Sequence, residues 1–212
     1  MNRSVQNPPL ESQDGKNALI HETPRSKTNR SQRPLFSRFV LFTALTLAGL
    51  SADLATKQYV FERLGLPGES DPKWIFDGLL GVQTAVNPGA VFGVGAGKGL
   101  FFAAFSVVAI IGISLWMFRF CGYQSKWLTY TLGMISGGIL GNLYDRLGFW
   151  WDDHLPVEWK SGVRDWILFR IEGVPLFDPW PNFNIADALL VIGAAMLFYH
   201  SLVLDPPQSD AA

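Results

Sequence analysis

Residues 99 to 118, GLFFAAFSVVAIIGISLWMF, run for the length of a bilayer-crossing helix without one charged side chain. At about 1.5 Å per residue such a segment reaches about 30 Å, the thickness of a hydrocarbon core. Residues 127 to 144 and 188 to 204 are likewise free of Asp, Glu, Lys and Arg, and a shorter apolar block, Phe39 to Ala52, sits within residues 35 to 61. The expected fold class is therefore membrane α-helical, with four transmembrane helices. The composition agrees: 49% of the 212 residues are hydrophobic and 17% charged, a balance that leans away from a soluble globule.

Charge and cysteine content remove several function classes. A formal net charge of −1 provides no basic field for nucleic acid. Cys121 is the only cysteine, which excludes an intrachain disulfide and a multi-cysteine zinc site. His21, His154 and His200 lie in separate regions with no HExxH spacing, so no metal site is expected and no cofactor is implied.

The chain divides into an N-terminal tail, residues 1–34, a membrane domain, residues 35–204, and a short C-terminal tail, residues 205–212. The first of these has no Phe, Trp or Tyr and is rich in polar and charged residues, so it is expected to be disordered. Seven Lys and Arg precede or enter the first span, and Arg119 and Lys126 flank the turn between spans two and three. The positive-inside rule places that turn and both termini in the cytoplasm. The connections 60 to 98 and 147 to 182 then face outward and are long enough to be structured. The first, with glycines among Val, Ile and Phe, suggests strands or a hairpin. The second, with Trp150, Trp151, Trp159, Trp166 and Trp180, suggests a loop on the membrane surface. The first span lacks a small-x-small cleavage site and reads as an uncleaved anchor, and Leu50 stands where a lipoprotein box would need cysteine.

On this topology the ionisable residues converge. Asp53 and Lys57 end span one, Asn142, Asp145 and Arg146 end span three, and Asn184 and Asp187 begin span four, all near the outer interface. Charges within spans are costly, about 2.5–3.5 kcal/mol each on insertion scales, so three segments delivering them to one level point to a shared polar site. Each has a plainer reading: an i, i+4 ion pair for Asp53 and Lys57, a helix-end charge pair for Asp145 and Arg146, and an N-cap with an N3 carboxylate for Asn184 and Asp187. Gly133, Gly137 and Gly141 form a small-xxx-small face for close helix packing. In NPGAVFG, residues 87 to 93, a Pro-Gly turn carries Asn87, a hydrogen-bonding group able to fold over the site.

Five ordered motifs make a family resemblance specific: DLATK (53–57), NPGAVFG (87–93), GGILGNLYDR (137–146), GVRDW (162–166) and FNIAD (183–187). Across residues 36 to 204 the chain resembles lipoprotein signal peptidase, or signal peptidase II. The resemblance implies an intramembrane aspartic peptidase whose catalytic pair is Asp165 and Asp187, supported by Asp53, Lys57, Asn87, Asn142, Asp145, Arg146, Asn184 and Ala186. It implies a bacterial cytoplasmic (inner) membrane enzyme acting on diacylglyceryl-modified prolipoproteins, with the cut before the lipid-modified cysteine. Membrane lipid and the prolipoprotein signal peptide are the expected partners, and a monomer suffices because every site residue lies in one chain. The segment LGFWWDDHLPVEWKSGV (147–163) is longer than the family pattern and brings Asp152 and Asp153 near the motif, but WWDDH lacks the Gly-Val that precedes Asp165.

Without the resemblance, Asp145 would be the preferred acid, since it lies within a span and Asp165 reads as part of a loop. Two carboxylates held close cannot easily both ionise, so a pair supplies both an acid and a base near neutral pH. A Ser-Lys peptidase is poorly served, because Ser51 and Lys57 are six residues apart and Ser125-Lys126 falls on the cytoplasmic side. A proton- or cation-coupled transporter would need acids along the pathway, and a non-catalytic adaptor would leave the acids merely to cap and pair.

Overall fold

The computed structural model describes Met1 and residues 32–89, 97–120 and 122–204. The expected N-terminal tail up to residue 31, the apolar tip of the NPGAVFG turn (residues 90–93), Cys121 and the C-terminal tail (205–212) lie outside the described residues.

Four long helices form the body: α1 (Gln32–Leu64), α2 (Gly99–Arg119), α3 (Lys126–Arg146) and α4 (Ile185–Tyr199), the last running on through a π-helical turn, His200–Leu204. Three of them, α1, α2 and α4, are long and apolar enough to cross a membrane. Their outward faces carry large apolar side chains in the open, among them Phe39 and Leu47 on α1, Phe101, Phe105 and Val108 on α2, and Val191 and Phe198 on α4. In water such surfaces are too extensive for a monomer, and they suit lipid.

The third helix differs because it is interior. It packs against α1, α2 and α4, and buries Thr129, Thr131, Ser136 and a run of glycines. Its lower hydropathy follows from those small and polar residues, which face protein. Four helices are present as expected, while composition alone marks three of them as spans.

Glycine lets α3 serve two neighbours. A Cβ at Gly137 would lie 3.0 Å from the Thr46 carbonyl oxygen and 3.1 Å from Gly49 Cα on α1, whereas one at Gly138 would lie 2.6 Å from the Ala186 carbonyl oxygen on α4. Adjacent glycines on a helix point about 100° apart, so each opens a different contact face. Trp127 closes the opposite end of the α3–α4 contact by donating from its indole N–H to the Met196 carbonyl at 2.9 Å.

The two long connections do not remain separate. They supply one antiparallel sheet in the order β1 (Lys73–Phe76), β2 (Leu80–Asn87), β3 (Val163–Phe169), β4 (Trp180–Phe183). The hairpin expected in the first connection is β1–β2, turned at Gly78, whose φ of 69° favours glycine. The surface loop expected in the second connection is corrected: its later part is strands β3 and β4, and Asp165 lies in β3 instead of a loop. The reason is non-local. β2 pairs with β3 from Leu80↔Phe169 to Asn87↔Val163, a partner far away in the chain.

Candidate active site

The β2–β3 ladder contains a bulge. Val82 pairs with Ile167 but Ala85 with Asp165, so β2 spends one extra residue between the two pairs. Such a bulge re-aims the side chains beyond it. Past it, Ala85 stands directly opposite Asp165, and Asn87, two residues on, shares the same face. An open cleft of about 390 Å³ lies over that face, lined by Ala85, Asn87, Pro88, Asp165, Pro181 and Asn182 among others. Ala85 leaves room beside the carboxylate that a larger side chain would fill.

Asp165 is almost wholly buried. Its Oδ1 accepts a hydrogen bond from Asn184 Nδ2 at 2.7 Å, and the Asn87 side chain donates to the same carboxylate. Burial pushes the Asp165 carboxyl well above the usual carboxylate range, and the neighbouring Asp187 carboxylate adds to that shift. Lys57 and the hydrogen bonds from Asn184 and Asn87 oppose it.

Asp187 comes from the start of α4. Asn184 is the N-cap of that helix: its Oδ1 accepts from the Asp187 N–H at 2.9 Å, and Asp187 Oδ2 accepts from the Asn184 N–H at 3.2 Å. This is a capping box with aspartate at N3, where a carboxylate suits the helix dipole. The plain N-cap reading of FNIAD is thus literally present. The same two side chains nevertheless extend past the cap. Asp187 Oδ1 accepts from Asn142 Nδ2 on α3 at 2.8 Å, and Asn184 Nδ2 also donates to Asn142 Oδ1 at 3.1 Å. Asn184 therefore sits between the two aspartates, and Asn142 orients it.

Below this layer lies a buried ion cluster. Lys57 Nζ contacts Asp53 Oδ2 at 2.7 Å, Asp145 Oδ2 at 3.1 Å and Asn142 Oδ1 at 3.1 Å, which uses all three donors of its ammonium group. The i, i+4 pair expected of Asp53 and Lys57 exists, but both residues are fully buried and the pair is tied to α3. Asp53 Oδ1 also accepts the Ala186 N–H at 2.9 Å, so α1 holds the first turn of α4. Ala186 is fully buried, and its small side chain belongs to the same tight contact.

Asp145 and Arg146 do not pair with each other as a helix-end couple would. Asp145 accepts from the Arg164 N–H at 2.9 Å and from its Nε and Nη2 at 3.2 and 2.8 Å. Arg146 turns the other way and donates to backbone carbonyls of Asn87 at 3.2 Å and Ser161 at 3.0 Å, and to that of Gly89. It pins the NPG turn above the cleft, assisted by the Gly89 N–H, which donates to Asn87 Oδ1 at 3.0 Å. Asp145, the acid favoured on span position alone, takes two contacts at each oxygen, three from Arg164 and one from Lys57, whereas Asp187 takes one at each.

The structure thus gathers Asp53, Lys57, Asn87, Asn142, Asp145, Arg146, Asp165, Asn184, Ala186 and Asp187 at one end of the helices. Sequence reasoning passed over Arg164 as a member of the site. The signal for Arg164 was available in GVRDW: a cation beside an acid in a strand points to the opposite face, where it needs a carboxylate of its own. Among the described residues no cluster of His, Cys, Asp and Glu fits a metal ion.

Comparison with known proteins converges on one family. The family model for signal peptidase (SPase) II matches residues 45–203. The lipoprotein signal peptidase of Rhodopirellula baltica is 55% identical over 165 residues, covering 78% of this chain and 73% of that protein. Its counterpart in Bacillus subtilis is 30% identical over 164 residues, covering 77% and 94%. Two solved structures of a bacterial membrane enzyme share the fold, with TM-scores of 0.60 and 0.59 at 21% and 22% identity, over 82% and 81% of this chain and 94% and 96% of theirs. The family model and these relatives together show that the chain belongs to the signal peptidase (SPase) II family of peptidases.

Proposed function

We propose that this chain removes the signal peptide from prolipoproteins by aspartic catalysis, with Asp165 and Asp187 as the catalytic pair. The observation that carries the reading is the position of Asn184: it bonds Asp165, which lines an open cleft, through its side chain and Asp187 through the capping box. Two carboxylates so joined, one of them strongly buried, share a proton. The pair supplies a base to draw a proton from water and an acid to protonate the carbonyl oxygen or the departing amine. Water attacks the scissile carbonyl directly, no acyl-enzyme forms, and the proton is returned to the leaving nitrogen. The two acids act as one unit, so neither is assigned a fixed role.

The charges around them support the shared proton. Asp53, Asp145, Asp165 and Asp187 are four acids, and Lys57, Arg146 and Arg164 are three cations, so the cluster is neutral when the pair keeps one proton.

The location fits the substrate. A diacylglyceryl-modified prolipoprotein keeps its acyl chains and signal helix in lipid, and the bond to be cut lies at the outer interface, where α4 begins. This reading places four spans, including α3, in a bacterial inner membrane, with both termini cytoplasmic and the chain active as a monomer. Residues 35–204 form the catalytic domain between two cytoplasmic tails. A proton- or cation-coupled transporter would need acids along the pathway, but among the described residues the buried acids lie at one end.

The test uses detergent-purified wild type, Asp165→Asn and Asp187→Asn on a diacylglyceryl-modified prolipoprotein, with the unlipidated form as control. Each substitution should lower cleavage by about 10³-fold or more while binding persists. Activity surviving in either variant would remove that residue from the pair, and equal cleavage of the unlipidated control would remove the lipid requirement.

A further inference from the structure

Arg164 precedes Asp165 on β3 and faces the other way, as neighbours on a strand must. It is 4% exposed. Its Nε and Nη2 grip Asp145 Oδ1, its backbone N–H bonds Oδ2, and its Nη1 reaches Gln58 Oε1 at 3.4 Å. The guanidinium carbon lies 5.4 Å from the centroid of the Trp150 ring and 6.0 Å from that of Phe61, and these two rings meet edge-on at 6.2 Å. Trp150 also donates its indole N–H to the Gly162 carbonyl at 3.0 Å, at the entry to β3.

Trp150 therefore holds this strand twice, through the backbone just before it and through the side chain at its second residue. Trp150 lies in the long segment between α3 and β3, the part of the chain that exceeds the family pattern. The opposite side of the Arg164 grip is α3, through Asp145, itself braced by Lys57. The residue next along the strand is Asp165, whose distance from Asp187 must be held closely because small misplacement of a reacting group is costly in rate.

We propose that Arg164 is a positioning residue for Asp165, fixing β3 against α3, and that Trp150 serves the reaction by holding Arg164 and the entry to β3 in place. This rests on the reading of Asp165 and Asp187 as the catalytic pair. The planar fork of arginine suits this role, because it spans one carboxylate with two donors while its faces stack on rings, which lysine does not do.

The experiment measures kcat and KM on the diacylglyceryl-modified prolipoprotein for wild type, Trp150→Phe, Trp150→Leu, Arg164→Lys and the Trp150→Leu/Arg164→Lys double variant, each per folded molecule from size-exclusion chromatography. Trp150→Leu leaves every buried ion pair in place, so it reports even if Arg164→Lys folds poorly. It should lower kcat about 10-fold with KM within about twofold, and Trp150→Phe, which keeps a ring face, should recover much of that loss. Arg164→Lys should lower kcat about 100-fold, and the double variant should be little worse than Arg164→Lys alone. Folded Trp150→Leu with wild-type kcat, or a loss confined to KM, overturns the proposal. Asp165→Asn run alongside separates the two readings: if it still cleaves, the catalytic pair is wrong and this proposal falls with it. If it is inactive and Trp150→Leu is not impaired, only the positioning role is lost.

Discussion

At the scale of single residues, the position of Asp165 has a consequence for stability as well as for chemistry. Unfolded, its carboxyl ionises near about 3.9, whereas folded it keeps its proton to higher pH because burial and Asp187 disfavour the charge. Between those two values the folded protein binds more protons than the unfolded chain, so stability from this group is present at low pH and is lost as pH rises through the folded value. Asparagine has no such titration. The thermal midpoint of wild type, measured against Asp165→Asn in detergent, should therefore fall progressively behind as pH is raised from about 4 to about 8. A difference that is constant across that range, or that grows in favour of wild type, would show that Asp165 is not held in a proton-retaining site. Asp145 is the contrasting case. It is fully buried between Arg164 and Lys57, so Asp145→Asn strands cationic groups in the interior and should destabilise by about 3–5 kcal/mol. The expected signature is a loss of folded protein in size-exclusion profiles that exceeds the loss for Asp165→Asn.

At the scale of elements, the glycines of α3 separate close packing from mere flexibility. Gly138 abuts the Ala186 carbonyl, which cannot retreat without moving the first turn of α4 and the Asn184–Asp187 cap built on it. Gly112, in α2, has nothing within 4 Å of where its Cβ would be. Gly138→Ala should therefore cost about 1–3 kcal/mol in detergent and reduce activity. Gly112→Ala should be neutral or stabilising by up to about 1 kcal/mol, since alanine is the better helix former. Equal effects at both positions would mean that the contact to Ala186 is not tight. These helices were legible in the sequence because their signal is local: charge-free blocks give α2 and α4, and small-residue spacing marks the packing face of α3. The hairpin β1–β2 was legible for the same reason. The sheet as a whole was not, because β2 and β3 belong to different connections and neither segment's pattern names its partner. That single missing pairing explains why Asp165 reads as a loop residue on local pattern, and why only the motif order pointed to it.

At the scale of the whole molecule, the open matter is which helices cross the bilayer, and α3 decides it. Its 21 residues extend about 31 Å, enough to span, but its buried threonines, serine and glycines hold its hydropathy below that of α1, α2 and α4. A central helix need not be apolar all round, since only lipid-facing positions must be, and α3 is surrounded by the other three. If it spans, its two ends lie on opposite sides of the membrane: the connection before it, which contains Cys121, faces the cytoplasm, and the sheet after it faces out. If it does not span, those ends share a side, and because β2 pairs with β3 the start of α2 lies there as well, so α2 could not cross either. Thiol labelling in intact spheroplasts distinguishes the two arrangements. Glu172 is exposed in the connection between β3 and β4, so Glu172→Cys placed in a Cys121→Ser background provides an outer reporter, and wild-type Cys121 provides the inner one. A membrane-impermeant maleimide should label the first without permeabilisation and the second only after it. Labelling of both from outside would mean that neither α2 nor α3 crosses, since the sheet joins the start of one to the end of the other.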